Sequence, residues 1–195
     1  LNLKSSAANY PDDPEALTRV DTLIASIVKS EKANLATLIR SSFTRDDEMA
    51  PVPHLRKLIC VVYTALDSRY RHCTEAEINR DPSISNAAKV RLAYLRFLIN
   101  QHRIRSRNHP DIKSPGVWDM IDHDLEVRRK QPPLYQFAFA QLLLEGDQHL
   151  WDGKKTLDDV AEEDQAIPTK DEIDERVKYY TANPLAQEAH SSASV

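Results

Sequence analysis

"SNAAKVRLAYLRFLINQHRIR", Ser85 to Arg105, is the stretch on which the fold turns. Ser85 has the short oxygen-bearing side chain that an N-cap needs to accept a bond from the first free amides of a helix. At 100° per residue, Val90, Tyr94 and Phe97 fall on one flank, and Leu92, Leu95, Leu98 and Ile99 on the other. A helix apolar on so many sides has to be enclosed by other elements. One narrow strip stays polar. Lys89, Arg96, Arg103 and Arg107 (if the helix runs so far) lie within about 40° of one another, and Ser85 and Asn100 share their strip.

The segments on either side read as helices too. "LYQFAFAQLLLE" at 134–145 is apolar on every side and is expected to be a central helix, with Gly146 and Gly153 as stops for it and its short successor. Thr74–Glu77 and Thr169–Glu172 have capping-box spacing, each opening a further helix. The segment 54–71 buries Leu55, Leu58, Ile59, Val62 and Leu66, and Val117, Trp118, Ile121 and Leu125 mark one side of another helix. Near the start, Leu17, Val20, Leu23, Ile24, Ile27 and Val28 share a face, read as core because only two clean heptads exist for a coiled-coil seam. Glu31 falls in that stripe, so a break near Lys29–Lys32 is favoured over one long helix. Three glycines in 195 residues leave little for hairpin turns. The expected fold is an all-α orthogonal bundle of about six to eight helices around the 134–145 helix. It occupies residues 12–184 as one domain, between a flexible arm at 1–11 and a disordered tail at 185–195.

Charge is unevenly spread. The net charge is −4, yet residues 51–113 hold twelve cations against five acids, and residues 114–195 eight cations against seventeen acids. A basic middle can meet an external polyanion, or it can pair with the acidic end of the same chain. "CTEAEINRDPSISNAAKVRLAYL", residues 73–95, resembles a helix-turn-helix: a short capped helix with Glu77 and Ile78, Ile84 as the apolar plug, and Ser85 capping the second helix. Asp81–Pro82 stands where such motifs usually have a turn glycine. The resemblance implies that the start of the second helix faces a major groove. The nucleic-acid-binding candidates are then Asn86, Lys89, Arg96, Arg103, Arg105 and Arg107.

Catalytic and metal chemistry find no strong pattern. Neither the glycine-rich dinucleotide loop nor the phosphate-binding P-loop occurs, and no serine stands in a nucleophile elbow. Asp119–His123 and Glu145–His149 have ligand spacing, but neither HExxH nor paired ExxH accompanies them, and a surface pair is the simpler reading. "LDDVAEEDQ" reads as a capped, solvated short helix. No catalytic residue, metal or cofactor is assigned. Cys60 and Cys73 suit reduced thiols, which favours an intracellular setting, cytoplasm or nucleus. No apolar run reaches the ~18 residues of a membrane span. The expected function is a non-enzymatic helical protein-interaction module that can self-associate, the alternative being a nucleic-acid-binding helical domain.

Overall fold

The computed structural model describes residues 14–41, 51–111 and 116–185. The expected arm at 1–11 and the tail beyond Leu185 lie outside the described residues. Seven α-helices are present, with no strand among the described residues. They are α1 (Pro14–Ser41), α2 (Leu55–Leu66), α3 (Glu75–Arg80), α4 (Asn86–Asn108), α5 (Val117–Arg128), α6 (Pro133–Leu150) and α7 (Lys170–Ala182), with a 3-10 turn at Ser68–Tyr70 after α2. The chain divides into two units, residues 1–37 and 38–195.

The first unit holds most of α1. This helix is continuous through Lys29–Lys32, so the expected break is absent. The reason lies in exposure. The stripe around Glu31 is open to solvent, and Glu31 is exposed with it. A carboxylate on such a face keeps its hydration and gives the helix no cause to stop.

In the second unit, local signals place the helix starts. The Ser85 hydroxyl accepts from the Ala88 amide at 3.3 Å and opens α4. Thr74 with Glu77, and Thr169 with Glu172, form complete capping boxes at the heads of α3 and α7. Each glutamate accepts the cap's own amide at 2.7 Å. Those bonds hold the Glu77 and Glu172 carboxyls below their ordinary values. Asp152, bonded to the Lys154 and Lys155 amides, and Asp159, bonded to Thr156, are lowered in the same way. A carboxyl lowered on folding adds stability that is present above its unfolded value and lost as pH falls through the folded one. The thermal midpoint should therefore be nearly level from pH 6 to 8 and drop below about pH 4. A midpoint that rises on acidification to pH 3.5 would contradict this account of the caps.

The core of this unit centres on α4, which buries Leu92, Ala93, Tyr94, Arg96, Phe97, Leu98, Ile99 and Asn100. It packs against α2, α5 and α6, while α2 also meets α3, and α6 meets α7. α6 buries Ala138, Phe139, Leu143, Asp147 and Leu150, but Phe137, Leu142 and Leu144 stay half-buried. It thus shares the centre with α4. Gly146 does not stop α6, which runs on to Leu150. A Cβ built on Gly146 would come within 3.7 Å of the Phe97 ring, an ordinary contact, and the helix gains nothing by ending there. Gly153, at φ +81°, makes the turn after α6 instead, in a region that L side chains rarely adopt.

"LDDVAEEDQ" is not a helix. It is a series of turns, with the Thr156 amide and hydroxyl both bonded to Asp159. Val160 and Gln165 are buried from this segment. The Gln165 side chain donates to the Val160 carbonyl at 2.8 Å and accepts from Asn100 of α4. Those two bonds, absent from any sequence pattern, draw the segment onto α4 and away from a solvated helix.

Candidate interaction surfaces

The polar strip of α4 is one line on a helical wheel and three environments in space. At its head, Asn86 and Lys89 are half-buried, and the Lys89 ammonium donates to the Asn86 side chain at 3.1 Å. In its middle, Arg96 is 0% exposed. Its Nε donates to Asp147 Oδ2 at 2.8 Å, Nη2 donates to the same oxygen, and Nη1 donates to the Pro53 carbonyl at 2.6 Å. A guanidinium enclosed in this way is not available to an external phosphate, and as a nucleic-acid contact Arg96 is corrected. The physical reason is position along the axis. Mid-helix, α4 is covered on the side where its two ends are open.

Asp147 is itself 1% exposed, and its second oxygen, Oδ1, is buried with no hydrogen-bond partner. Burial pushes the Asp147 carboxyl above its ordinary value, while Arg96 pulls it down. The result is a charge pair retained inside an otherwise apolar centre.

At the exit of α4, Arg103 is half-buried and donates to the Asn100 side chain at 3.1 Å. Burial first, and then the nearby Arg107, lower its pKa, while Asp158 acts in the opposite sense. Arg105 and Arg107 are exposed, and Arg107 pairs with Glu162. Asn108 donates to the other Glu162 oxygen at 2.8 Å. Gln101, Ile104, Arg105, Asn108, His109 and Glu162 line an open groove here. The acidic C-terminal third thus supplies Asp147, Asp158 and Glu162 to a strip whose sequence shows only cations.

Of the helix-turn-helix resemblance, only the caps and the buried isoleucines can be followed in the structure. α3 and α4 are both capped, Ile84, the expected plug, is buried, and so is Ile78 of α3. Of the residues at the head of the second helix, Arg91 is exposed, while Asn86 and Lys89 bond to each other.

A second surface was not anticipated as one. On α1, Leu17, Val20, Leu23, Ile24, Ile27 and Val28 are between 44% and 60% exposed. The stripe read as core is therefore surface. Helical spacing identifies a shared face, but it does not say whether the covering element belongs to the same chain. The far end of the helix differs, since Ala36 and Ile39 are buried.

Metal ligation finds no support. No group of three or more His, Cys, Asp or Glu side chains that could hold an ion occurs among the described residues. Asp119 and His123 are exposed, and Glu145 is engaged by Arg176 at 2.7 Å. Cys60 and Cys73 are both free thiols. No described helix is long and apolar enough to cross a membrane. Comparison with family models, curated proteins and solved structures finds no match.

Proposed function

We propose that this chain is a non-enzymatic helical protein-interaction module and that the open face of α1 is its docking surface. One observation carries the reading: six large aliphatic side chains, contiguous at helical spacing from Leu17 to Val28, are each about half exposed. Leaving such a face in water is unfavourable, and contiguous apolar patches on soluble domains commonly mark interaction sites. The fate of the cations supports the same choice over a nucleic-acid surface. Arg96 and Arg107 already have carboxylate partners within the chain.

The reading is tested with a photo-crosslinking amino acid placed at Leu23, and a control at Asp171, which is exposed on α7. The chain is expressed in cells, irradiated and resolved by mass. Protein adducts at position 23, absent at 171, are the expected result. Equal labelling at both positions, or none at 23, would remove α1 as the docking face.

A further inference from the structure

We infer that Ser106 is a phosphorylation site for a serine kinase that reads arginine three residues before its acceptor, and that the added phosphate draws Arg107 away from Glu162. The site is independent of the α1 face. The structure singles out this one hydroxyl among several.

Kinases of that class present carboxylates to the substrate chain, so an arginine ahead of the acceptor sets the pairing. Four serines or threonines stand three residues after an arginine: Thr22, Thr74, Ser83 and Ser106. Three of these hydroxyls are already used within the fold. Thr22 donates to the Thr18 carbonyl at 2.8 Å. Thr74 caps α3 and bonds to Glu77 at 2.7 Å. Ser83 shares a 2.7 Å hydrogen bond with the Tyr70 hydroxyl. Ser106 is exposed, and its hydroxyl bonds to no described residue. It alone of the four also has an arginine on each side, Arg105 and Arg107.

Position along α4 favours it too. A kinase takes its acceptor in an extended segment, which the interior of a helix does not supply. Ser106 lies in the last turn of α4, which ends at Asn108. The final carbonyls of a helix have no intrahelical partner, and such a turn opens at little cost. What resists opening is the Glu162 carboxylate, one oxygen paired with Arg107 and the other accepting from Asn108 at 2.8 Å. Glu162 is therefore a brake on the modification.

The reaction is phosphoryl transfer from a nucleoside triphosphate. Ser106 Oγ attacks the γ-phosphorus, the Oγ–P bond forms as the bond to the nucleoside diphosphate breaks, and the hydroxyl proton passes to the kinase's catalytic carboxylate. The product carries about −1.5 to −2 charge at pH 7. The negative end of the helix macrodipole opposes it there. A guanidinium, however, grips phosphate through two parallel charge-assisted bonds, which outweigh that end effect. Arg103 lies one turn back, but it is half-buried against Asn100. Arg107 is exposed and adjacent, so it is the one that turns. Glu162 is left beside a new anion, and the turns at 157–165 lose one tether to α4 while Gln165 keeps Asn100.

The test incubates the folded chain with Mg-ATP and a constitutively active serine kinase that requires arginine at that spacing. A synthetic peptide of residues 99–110 is the reference for an unfolded acceptor. One phosphoryl group per chain is expected, mapped to Ser106 by peptide mass, at a rate within about tenfold of the peptide's. Arg103→Ala should slow the reaction about tenfold or more in both chain and peptide, the loss of one charge-assisted pair. Glu162→Ala should bring the rate of the chain up to that of the peptide. In the modified chain, amide exchange across 157–165 should quicken about threefold or more.

Label on Thr22, Thr74 or Ser83 in preference to Ser106 overturns the inference. So does a folded chain left unlabelled while the peptide is labelled, or a peptide that the kinase ignores. Unchanged exchange across 157–165 in the fully modified chain would show that Arg107 keeps Glu162, and would overturn the second half.

Discussion

Arg96→Met, with Asp147 left in place, is expected to destabilise the domain by about 3–5 kcal/mol. The pair is enclosed, at 0% and 1% exposure, so neither charge can recover hydration when the other is removed. Asp147 Oδ1 already lacks a partner, and the variant leaves Oδ2 without its guanidinium as well. The double variant Arg96→Met/Asp147→Leu should regain most of the loss, because a buried ion pair rarely outperforms a well-filled apolar site. Urea denaturation of the wild type, both singles and the double measures the coupling. A single-variant cost under about 1 kcal/mol would mean that the site opens to water. The sign of the pH effect follows from the same burial. Without the cation, Asp147 is held still further above its ordinary value. A carboxyl raised on folding favours the fold below its unfolded pKa and loses that contribution as pH rises. Arg96→Met should therefore be less damaging at pH 5 than at pH 7.

Phe139→Ala is the second large loss, about 3–5 kcal/mol. The ring is 8% exposed and sits edge-on to Tyr94, with centroids 6.1 Å apart. The Arg128 guanidinium lies 3.8 Å from the same centroid, and Arg128 also holds Asp124 at 2.5 Å. Asp124 in turn accepts from the Tyr94 hydroxyl at 2.6 Å. Phe139 is thus the apolar member of a ring of four side chains from α4, α5 and α6. Phe139→Leu keeps most of the volume but removes the π face, and should cost about 1–2 kcal/mol. If alanine and leucine cost the same, volume is not what the ring contributes.

The legible parts of this fold were the local ones. Ser85, Thr74–Glu77 and Thr169–Glu172 act within four residues of themselves, so their pattern is their geometry. α4 was legible as an enclosed helix for the same reason. Arg96 was not, because a helical wheel gives an angle and says nothing of depth along the axis. Its partner Asp147 lies 51 residues away and is one acid among thirty. The stripe on α1 was seen as a stripe and assigned to the wrong side of the boundary between core and surface. Glu31, which suggested a break, was the residue that marked the face as open. The turns at 157–165 carry no such pattern, because their shape depends on Gln165 reaching Asn100, a contact with no local signature.

The reach of Arg96 bears on the order in which the second unit assembles. Its three donated bonds join chain positions 43 residues before it and 51 after. Neither can form until a long loop on each side has closed, and closure is paid in entropy before any contact returns it. Helix α4 and its cap can be present early, since they need only neighbours in sequence. On that order the guanidinium would stay solvated on a preformed helix until α6 and the approach to α2 arrive. A contact that waits on both closures is expected to form after the rate-limiting step of folding and to hold the finished structure shut. Arg96 is then expected to act as a latch: in a denaturant chevron, its loss should speed unfolding and leave the folding rate nearly unchanged.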